Sequence, residues 1–267
     1  MSIANARRAA APAALLFAAT ITFASCGGSH TAAKNVATPP RPRPVPTPST
    51  LGTTTTTLPA YASIIAKAIV PRLAVFDSPT APGPARVLDN PWLADPSQPD
   101  TAVPQVFLVT ARRPDGWVRI LLPIRPNGST GWVRATDVTL SPVVYKLLVQ
   151  LGAHRITMFD QGAVAYTGPV ADGAPATPTP VGHYYVRMLI KAPNPNTVYG
   201  PYAYGLSSHS DALTSFEGGD GETGIHGNDD ASVLGSSVTH GCIRIDNAEI
   251  TRLAAILPLG TPVDIVA

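Results

Sequence analysis

Charged side chains are scarce in this chain. Only 13% of the residues are Asp, Glu, Lys or Arg, and 19 basic against 17 acidic side chains leave a net charge of +2. Proteins that bind nucleic acid usually carry a basic field, and solvating tails carry runs of one sign. The composition therefore supports neither class, and we expect no nucleic acid as a partner.

Long apolar runs are also missing, apart from one near the N-terminus. Arg7 and Arg8 precede an almost wholly apolar stretch at residues 9–24. A membrane span needs about 20 apolar residues, so this run suits the core of a signal peptide instead. The run ends in Phe-Ala-Ser-Cys at Cys26, which resembles a bacterial lipobox. We expect residues 1–26 to be a signal peptide and Cys26 to be lipidated, so that the protein is exported, anchored to the outer face of the membrane and active in the cell wall. Ordinary secretion, with Cys26 discarded, is the alternative.

Cysteine is nearly absent, and this makes the second cysteine informative. The chain has two, Cys26 and Cys242. If Cys26 is lipidated or removed, Cys242 has no intramolecular partner, and an unpaired thiol is a liability in an oxidising compartment. Cys242 is then either a small buried apolar side chain or a reactive thiol.

Proline is the residue in excess, with 29 copies. Many lie within residues 27–60, together with a run of threonines. This composition cannot bury a core and favours extended chain. We therefore expect residues 27–60 to be a disordered linker between the anchor and the ordered domains.

Residues 61–141 have the pattern of a small all-β domain. Gly-Trp-Val-Arg occurs at 116–119 and again at 131–134. The Asn127-Gly128 pair between the copies is a strong turn signal. The pattern resembles the SH3-like barrels of bacterial wall proteins. Such a module either binds the wall or packs on its neighbour and positions it.

Residues 143–267 form a second unit that is also mainly β. Short β-rich runs alternate with glycine-containing turns, and residues 262–266 read as a closing strand. One helix is predicted near the end, with Asp246 as N-cap and Glu249 three residues later. The fold class is therefore mainly β, with one or two short helices.

The chemistry is concentrated in residues 224–244. His226 and Cys242 both lie there, and Gly241 precedes the cysteine. A cysteine thiol with its usual pKa of about 8.5 is only a few per cent ionised at neutral pH, and a neighbouring imidazole can take its proton. A glycine lets the backbone turn sharply and brings N–H groups close to a reacting carbonyl. This spacing by itself supports cysteine-based acyl transfer.

The same segment resembles the signature of the L,D-transpeptidases, the YkuD-type catalytic domain. His-Gly stands at 226–227 and Thr-His-Gly-Cys-Ile-Arg at 239–244. Pro-Thr-Pro-Val-Gly at 178–182 and Gly-Pro-Tyr at 200–202 also match the family's pattern. The resemblance covers 143–267 and implies a β-sandwich catalytic domain preceded by the SH3-like barrel.

The resemblance also implies roles for individual residues. Cys242 would attack a peptide carbonyl and hold the acyl group as a thioester, with His226 as general base. The Gly227 carbonyl would fix the tautomer of that histidine. The N–H groups of Gly241 and Cys242 would form the oxyanion hole.

A further group of residues is expected at the substrate: Tyr204, Tyr202, His240 and Arg244. A tyrosine hydroxyl would assist the oxyanion hole, and Arg244 would bind a substrate carboxylate or else form a structural ion pair. His240 would contact substrate or order its loop. A zinc site built from His226, His240 and Cys242 lacks the familiar ligand spacing, so we expect no metal and no cofactor.

The function implied by the resemblance is peptidoglycan cross-linking. The donor would be a stem tetrapeptide that loses its terminal D-alanine, and the product a 3→3 cross-link with a neighbouring stem. Carbapenems would acylate the same thiol. An L,D-carboxypeptidase and a non-catalytic wall-binding lipoprotein remain as alternatives.

Overall fold

The computed structural model describes residues 59–94, 101–215 and 219–267. The predicted signal peptide at 1–26, with the lipidation site Cys26, lies outside the described residues. So does the predicted linker at 27–60, except for its last two residues. Among the described residues no helix has the length and apolarity needed to cross a membrane.

The first nine strands belong to the N-terminal part of the described chain. They are β1 (Ser63–Ala68), β2 (Arg72–Val75), β3 (Arg86–Asp89), β4 (Trp92–Leu93), β5 (Ala102–Val103), β6 (Val106–Arg112), β7 (Trp117–Leu121), β8 (Thr130–Arg134) and β9 (Val138–Val143). Five of them form one antiparallel sheet in the order β8-β7-β6-β1-β9, and the others form two short ribbons, β2-β3 and β4-β5.

Ten strands and one α-helix follow. They are β10 (Tyr145–Gln150), β11 (Arg155–Asp160), β12 (Ala163–Pro169), β13 (Asp172–Gly173), β14 (Gly182–Lys191), β15 (Tyr202–His209), β16 (Glu222–His226), β17 (Ser237–Thr239), β18 (Ile243–Arg244), α1 (Asn247–Ile256) and β19 (Pro262–Val266). The expectation of a mainly β protein with a terminal helix and a closing strand is confirmed.

Eight of these strands make one mixed sheet in the order β12-β11-β10-β19-β14-β15-β16-β18. The long strand β14 pairs through its first half with β19 and through its second half with β15, so the sheet continues across it. Leu147 on β10 and Leu206 on β15 belong to one buried cluster, which also takes in Leu253 of α1. The two layers of the expected sandwich are therefore the two halves of a single sheet that enclose one core.

The five-stranded sheet has a core of its own, and a strand of the larger sheet contributes to it. Tyr185 on β14 packs in this core, with its ring 6.5 Å from the ring of Phe107 at an edge-on angle of 66°. The two sheets are thus joined by apolar packing. The SH3-like character of residues 61–141 stays a prediction. The turn expected at Asn127-Gly128 lies in the loop between the paired strands β7 and β8, with Gly128 at a φ of +83°.

Helix α1 begins where the sequence predicts. The Asp246 side chain accepts hydrogen bonds from the backbone N–H groups of Ala248 and Glu249, and so satisfies two of the donors that a helix start leaves unpaired. Glu249 does not reach back to the cap in a reciprocal bond. Its carboxylate instead binds Arg252 one turn later.

Candidate active site

His226 ends strand β16, and its side chain is held in one tautomer. The residue is only 3% exposed, and its Nδ1 lies 2.7 Å from the carbonyl oxygen of Gly227. Because a carbonyl oxygen only accepts hydrogen bonds, the neutral ring carries its proton on Nδ1 and keeps a lone pair on Nε2. The expected contact with the Gly227 carbonyl is confirmed.

The surroundings of His226 also set its charge. The pKa of His226 is lowered to about 4, chiefly by burial and in part by the positive charge of Arg244, while hydrogen bonding to the backbone of Gly227 and Val198 opposes the shift. The ring of Tyr199 lies 5.0 Å from the imidazole and covers it. The imidazole is therefore uncharged at neutral pH and able to accept a proton.

The pairing of β16 with β18 places Cys242 beside His226. The two strands run parallel, with Ile225 opposite Ile243 and His226 opposite Arg244. Both isoleucines are fully buried in the core. Side chains alternate along a strand, so His226 and Arg244 leave the opposite face, and Cys242 directly precedes β18 in the turn. A strand spacing of about 4.8 Å and a rise of about 3.3 Å per residue put the Cα atoms of Cys242 and His226 about 8 Å apart, a distance that two side chains can bridge.

A tight turn presents Cys242, the single cysteine among the described residues, in a half-buried position. Thr239 closes this turn, because its Oγ1 donates to the Cys242 carbonyl at 2.6 Å and accepts from the Gly241 N–H at 3.1 Å. Gly241 has a φ of +114°, which L side chains rarely adopt. The expectation that the Gly241 N–H serves the oxyanion hole is wrong in this structure, since that N–H is already donated to Thr239.

The segment after β13 holds the Cys242 turn from the other side. Thr177 Oγ1 donates to the Thr239 carbonyl at 3.0 Å, and Thr179 Oγ1 donates to the Gly241 carbonyl at 3.0 Å. The sequence singled out residues 178–182 as a turn but assigned no role to Thr179. The sequence did contain an indication of this role. Pro178 and Pro180 have no N–H, so Thr179 between them is the residue of the three that can donate hydrogen bonds.

The tyrosines expected at the substrate face the core instead. Tyr204 is fully buried, and its hydroxyl donates to the carbonyl of Leu253 at 2.7 Å. Burial raises the pKa of Tyr204 well above its usual value. Tyr202, two residues earlier on the same strand, is partly buried against the same cluster. The assignment of Tyr204 to substrate is therefore wrong, because its hydroxyl is committed to a helix carbonyl. The aromatic ring that does meet the site is Tyr199, which directly precedes the Gly-Pro-Tyr stretch but was not among the predicted site residues.

Arg244 and His240 differ in what surrounds them. The Nε of Arg244 is buried and has no hydrogen-bond partner among the described residues, and none of their carboxylates lies within ion-pair distance of its guanidinium. The alternative of a structural ion pair therefore finds no partner in this part of the chain. His240 is exposed at the surface.

The structure does not assemble the zinc site that was considered as an alternative. Ligand atoms of His226, His240 and Cys242 do not form a metal-sized group. Among the described residues one set of three does, with ligand atoms within 4.8 Å of one another: His209, Asp220 and Glu222. Arg187 forms an ion pair with Glu222 in that set.

The C-terminal part of the chain resembles known proteins. The model of the YkuD family, the L,D-transpeptidase catalytic domain, matches residues 144–265. YkuD of Bacillus licheniformis is 30% identical over 152 residues, which are 54% of this chain and 84% of that protein. The chain belongs to the YkuD family of L,D-transpeptidases. The matched region of this L,D-transpeptidase contains β10 to β19, and hence His226, Cys242 and the segment that holds them.

Two further likenesses were found. YkuD of Bacillus subtilis is 32% identical to this L,D-transpeptidase over 123 residues, 46% of this chain and 66% of the relative. A solved L,D-transpeptidase from Mycobacterium smegmatis aligns with a TM-score of 0.39 at 15% identity, over 60% of this chain and 81% of that one. Membership of the family makes the protein an acyltransferase of the transpeptidase class.

Proposed function

We propose that this L,D-transpeptidase works through a thioester on Cys242. The observation that supports the proposal is the parallel pairing of β16 with β18, because Cys242 directly precedes β18 and the neutral imidazole of His226 lies at the end of β16. The Cys242 sulfur attacks a peptide carbonyl carbon, and its proton passes to Nε2 of His226. The carbon–nitrogen bond then breaks, and the imidazolium returns the proton to the leaving amine.

The low pKa of His226 defines how the thiol is activated. An imidazole whose pKa is lowered by burial favours the neutral thiol and neutral imidazole at rest. It acts as a base while the sulfur attacks, and then readily gives the proton up to the leaving group. The Cys242 N–H supplies the oxyanion donor in this scheme, because the Gly241 N–H is used by Thr239.

The substrate in this proposal is a peptidoglycan stem tetrapeptide. Its third residue, a diamino acid, is the acyl donor, and the terminal D-alanine is expelled. The amine of a neighbouring stem resolves the thioester and forms a 3→3 cross-link. The buried and unpartnered Nε of Arg244 supports a role in binding a carboxylate of this peptide.

The decisive experiment is incubation of the purified protein with a stem tetrapeptide, followed by mass spectrometry. We expect release of D-alanine and a cross-linked dimer from the wild type and neither product from Cys242→Ala. D-alanine without dimer would identify an L,D-carboxypeptidase, in which water takes the place of the amine. If the wild type yields neither product, the proposed substrate is wrong.

A carbapenem provides a second probe of the same sulfur. The β-lactam carbonyl would be attacked by Cys242 with opening of the ring, so the intact mass rises by the mass of the drug. We expect this adduct in the wild type and not in Cys242→Ala. A non-catalytic wall-binding protein would show no adduct, and its thiol would react with alkylating reagents no faster than an ordinary cysteine.

We also propose that the protein is exported and anchored through lipid on Cys26. The positive residues Arg7 and Arg8, the apolar stretch that follows and the small residues before Cys26 support this. Membrane fractionation of cells that produce the wild type or Cys26→Ser tests it. We expect the wild type in the membrane fraction and the variant outside it, and equal membrane association of both would contradict the lipid anchor.

A further inference from the structure

The hydroxyl of Thr179 connects two backbone groups next to the nucleophile. Thr179 is 4% exposed. Its Oγ1 accepts from the Gly173 N–H at 2.8 Å and lies 3.0 Å from the carbonyl oxygen of Gly241. A hydroxyl has one proton, and a carbonyl oxygen only accepts. The proton of Thr179 is therefore committed to Gly241, and the Gly173 N–H keeps the hydroxyl turned in that direction.

The bond to Gly241 determines where the Cys242 N–H points. The peptide between Gly241 and Cys242 is trans. In a planar trans peptide the N–H points away from the carbonyl oxygen of the preceding residue. Because the Gly241 carbonyl is held by Thr179, the Cys242 N–H points in the opposite direction within the same peptide plane.

This restraint matters because Gly241 by itself leaves the peptide free to rotate. A Cβ added at Gly241 would find its nearest heavy atom 3.7 Å away, so no side-chain packing at this position helps to fix the peptide. Glycine also has the widest range of backbone conformations. Thr239 anchors the Gly241 N–H and the Cys242 carbonyl, which belong to the peptides on either side. Thr179 is the side chain that binds the peptide between them.

We propose that Thr179 is a positioning residue that aims the Cys242 N–H at the substrate carbonyl oxygen. The inference rests on the proposed acyl transfer by Cys242. When the sulfur attacks, the carbonyl π electrons move onto oxygen, and an N–H already pointing at that atom stabilises the charge without reorganisation. Thr179 acts through the peptide and does not touch the substrate.

The test compares two reactions of the same sulfur. Acylation by a carbapenem passes through an oxyanion, whereas alkylation by iodoacetamide displaces iodide from a saturated carbon and does not. Thr179→Val removes the hydroxyl and keeps the shape of the side chain. Removing an oxyanion donor outright costs roughly 10²–10³-fold in rate, so we expect misdirection of the donor to slow acylation roughly 10- to 100-fold. Alkylation should change by less than about twofold, since it needs no such donor.

Two companion variants separate positioning from a general structural effect. Thr179→Ser keeps the hydroxyl and should stay within about threefold of the wild-type acylation rate, because the oxyanion donor keeps its direction. Thr177→Val loses a hydroxyl bond of the same 3.0 Å length, but to the Thr239 carbonyl. Because that bond supports the turn and not the peptide between Gly241 and Cys242, any loss should be the same in acylation and in alkylation. Circular dichroism confirms that each variant is folded, and Thr179→Ala takes the place of the valine variant if that one is not.

Several results would contradict the positioning role of Thr179. An unchanged acylation rate in Thr179→Val overturns the inference, and so does an equal loss in both reactions, which would show that Thr179 only supports the sulfur or the fold. Failure of Thr179→Ser to retain acylation also counts against it. If the wild type takes up no carbapenem at all, the proposed function fails and this inference with it. If the wild type is acylated, but no faster than Thr179→Val, then only the proposed role of Thr179 is rejected and the proposed function stands.

Discussion

At the scale of single residues, burial decides what each polar group of the site can do. His226 is almost fully enclosed, so its protonated form is disfavoured and the ring is a base at neutral pH. Tyr204 is enclosed as well, but its hydroxyl is already bonded to the carbonyl of Leu253. The same degree of burial therefore prepares one side chain for chemistry and removes the other from it.

The pKa of His226 predicts the acid limit of activity. The base form of an ordinary histidine is lost as the pH falls through about 6.5. For His226 this loss occurs only as the pH falls towards about 4. We expect the rate of Cys242 acylation by a carbapenem to stay level between pH 7 and pH 5 and to fall below that range. Rates measured by intact mass across this range test it. A midpoint near 6.5 would show that the histidine is solvated in the working enzyme.

The position of Tyr204 predicts a stability effect without a kinetic one. Tyr204→Phe removes the hydroxyl that donates to Leu253 and leaves the ring in the core. We expect the free energy of unfolding to fall by about 1 kcal/mol, the usual net contribution of one hydrogen bond. Acylation by a carbapenem should be unchanged within about twofold, because Tyr204 lies on the core side of the sheet and supplies no oxyanion donor. Urea unfolding and adduct formation measure the two effects. A loss of acylation in a fully folded Tyr204→Phe variant would show instead that the Tyr204 hydroxyl acts at the substrate.

At the scale of elements, short strands and one helix fix the position of the catalytic turn. The Cys242 turn lies between β17, which pairs with β13, and β18, which pairs with β16. Helix α1 follows directly and packs Ile250 and Leu253 into the core. The side chain of Asn228 donates to the carbonyl of Ile245, which ties the chain after His226 to the start of the helix.

The N-terminus of α1 provides a test of this element. Asp246→Ala removes the acceptor for two backbone N–H groups. We expect a loss of about 1 kcal/mol in the free energy of unfolding, as is typical of N-cap residues. Asp246→Ser, which can still cap, should recover most of it. Chemical denaturation of the three proteins provides the comparison, and equal losses in the two variants would mean that the cap contributes little to the stability of α1.

At the scale of the whole molecule, the loop between β7 and β8 fastens the first sheet to the catalytic sheet. One nitrogen of Arg125, Nη2, donates to the carbonyl oxygens of Ser210, Leu213 and Asp220 at 2.7–3.1 Å. The Asn127 side chain pairs with both the N–H and the carbonyl of His209. These contacts hold the segment that leads from β15 into β16, and therefore towards His226.

Removal of the Arg125 hydrogen bonds should loosen the backbone around Ser210, which is far from Arg125 in the sequence. Arg125→Ala leaves three backbone carbonyls without their charged donor. We expect a loss of about 2 kcal/mol in the free energy of unfolding, since bonds to charged groups contribute more than neutral ones. The Ser210 N–H, bonded to the Gly221 carbonyl, should exchange its hydrogen faster. Arg113→Ala is the matched control, because its partner Asp115 is an exposed neighbour and such pairs contribute little. Equal effects of the two variants would show that the loop does not hold the segment.

Local features of this protein could be predicted from neighbouring residues. Asp246 at a helix start, the Asn127-Gly128 turn and the β-rich runs from 145 onwards are encoded by neighbouring residues, and the structure has them where they were predicted. The choice of His226 and Cys242 as candidates was also within reach, because the resemblance of the two short segments is specific, and the structure has them at the end of β16 and directly before β18.

The directions in which the remaining groups of the site face depend on long-range packing and could not be predicted from the sequence. Strand β15 is almost wholly buried, so its sequence has no polar alternation to show that Tyr204 faces the core. The bond between Thr179 and Gly241 joins residues 62 positions apart. Such contacts depend on how β13 and β17 register against each other, and register is set by the packing of whole faces. The chain thus specifies its chemistry locally, while the direction of each donor and hydroxyl is fixed by partners that are far away in the sequence.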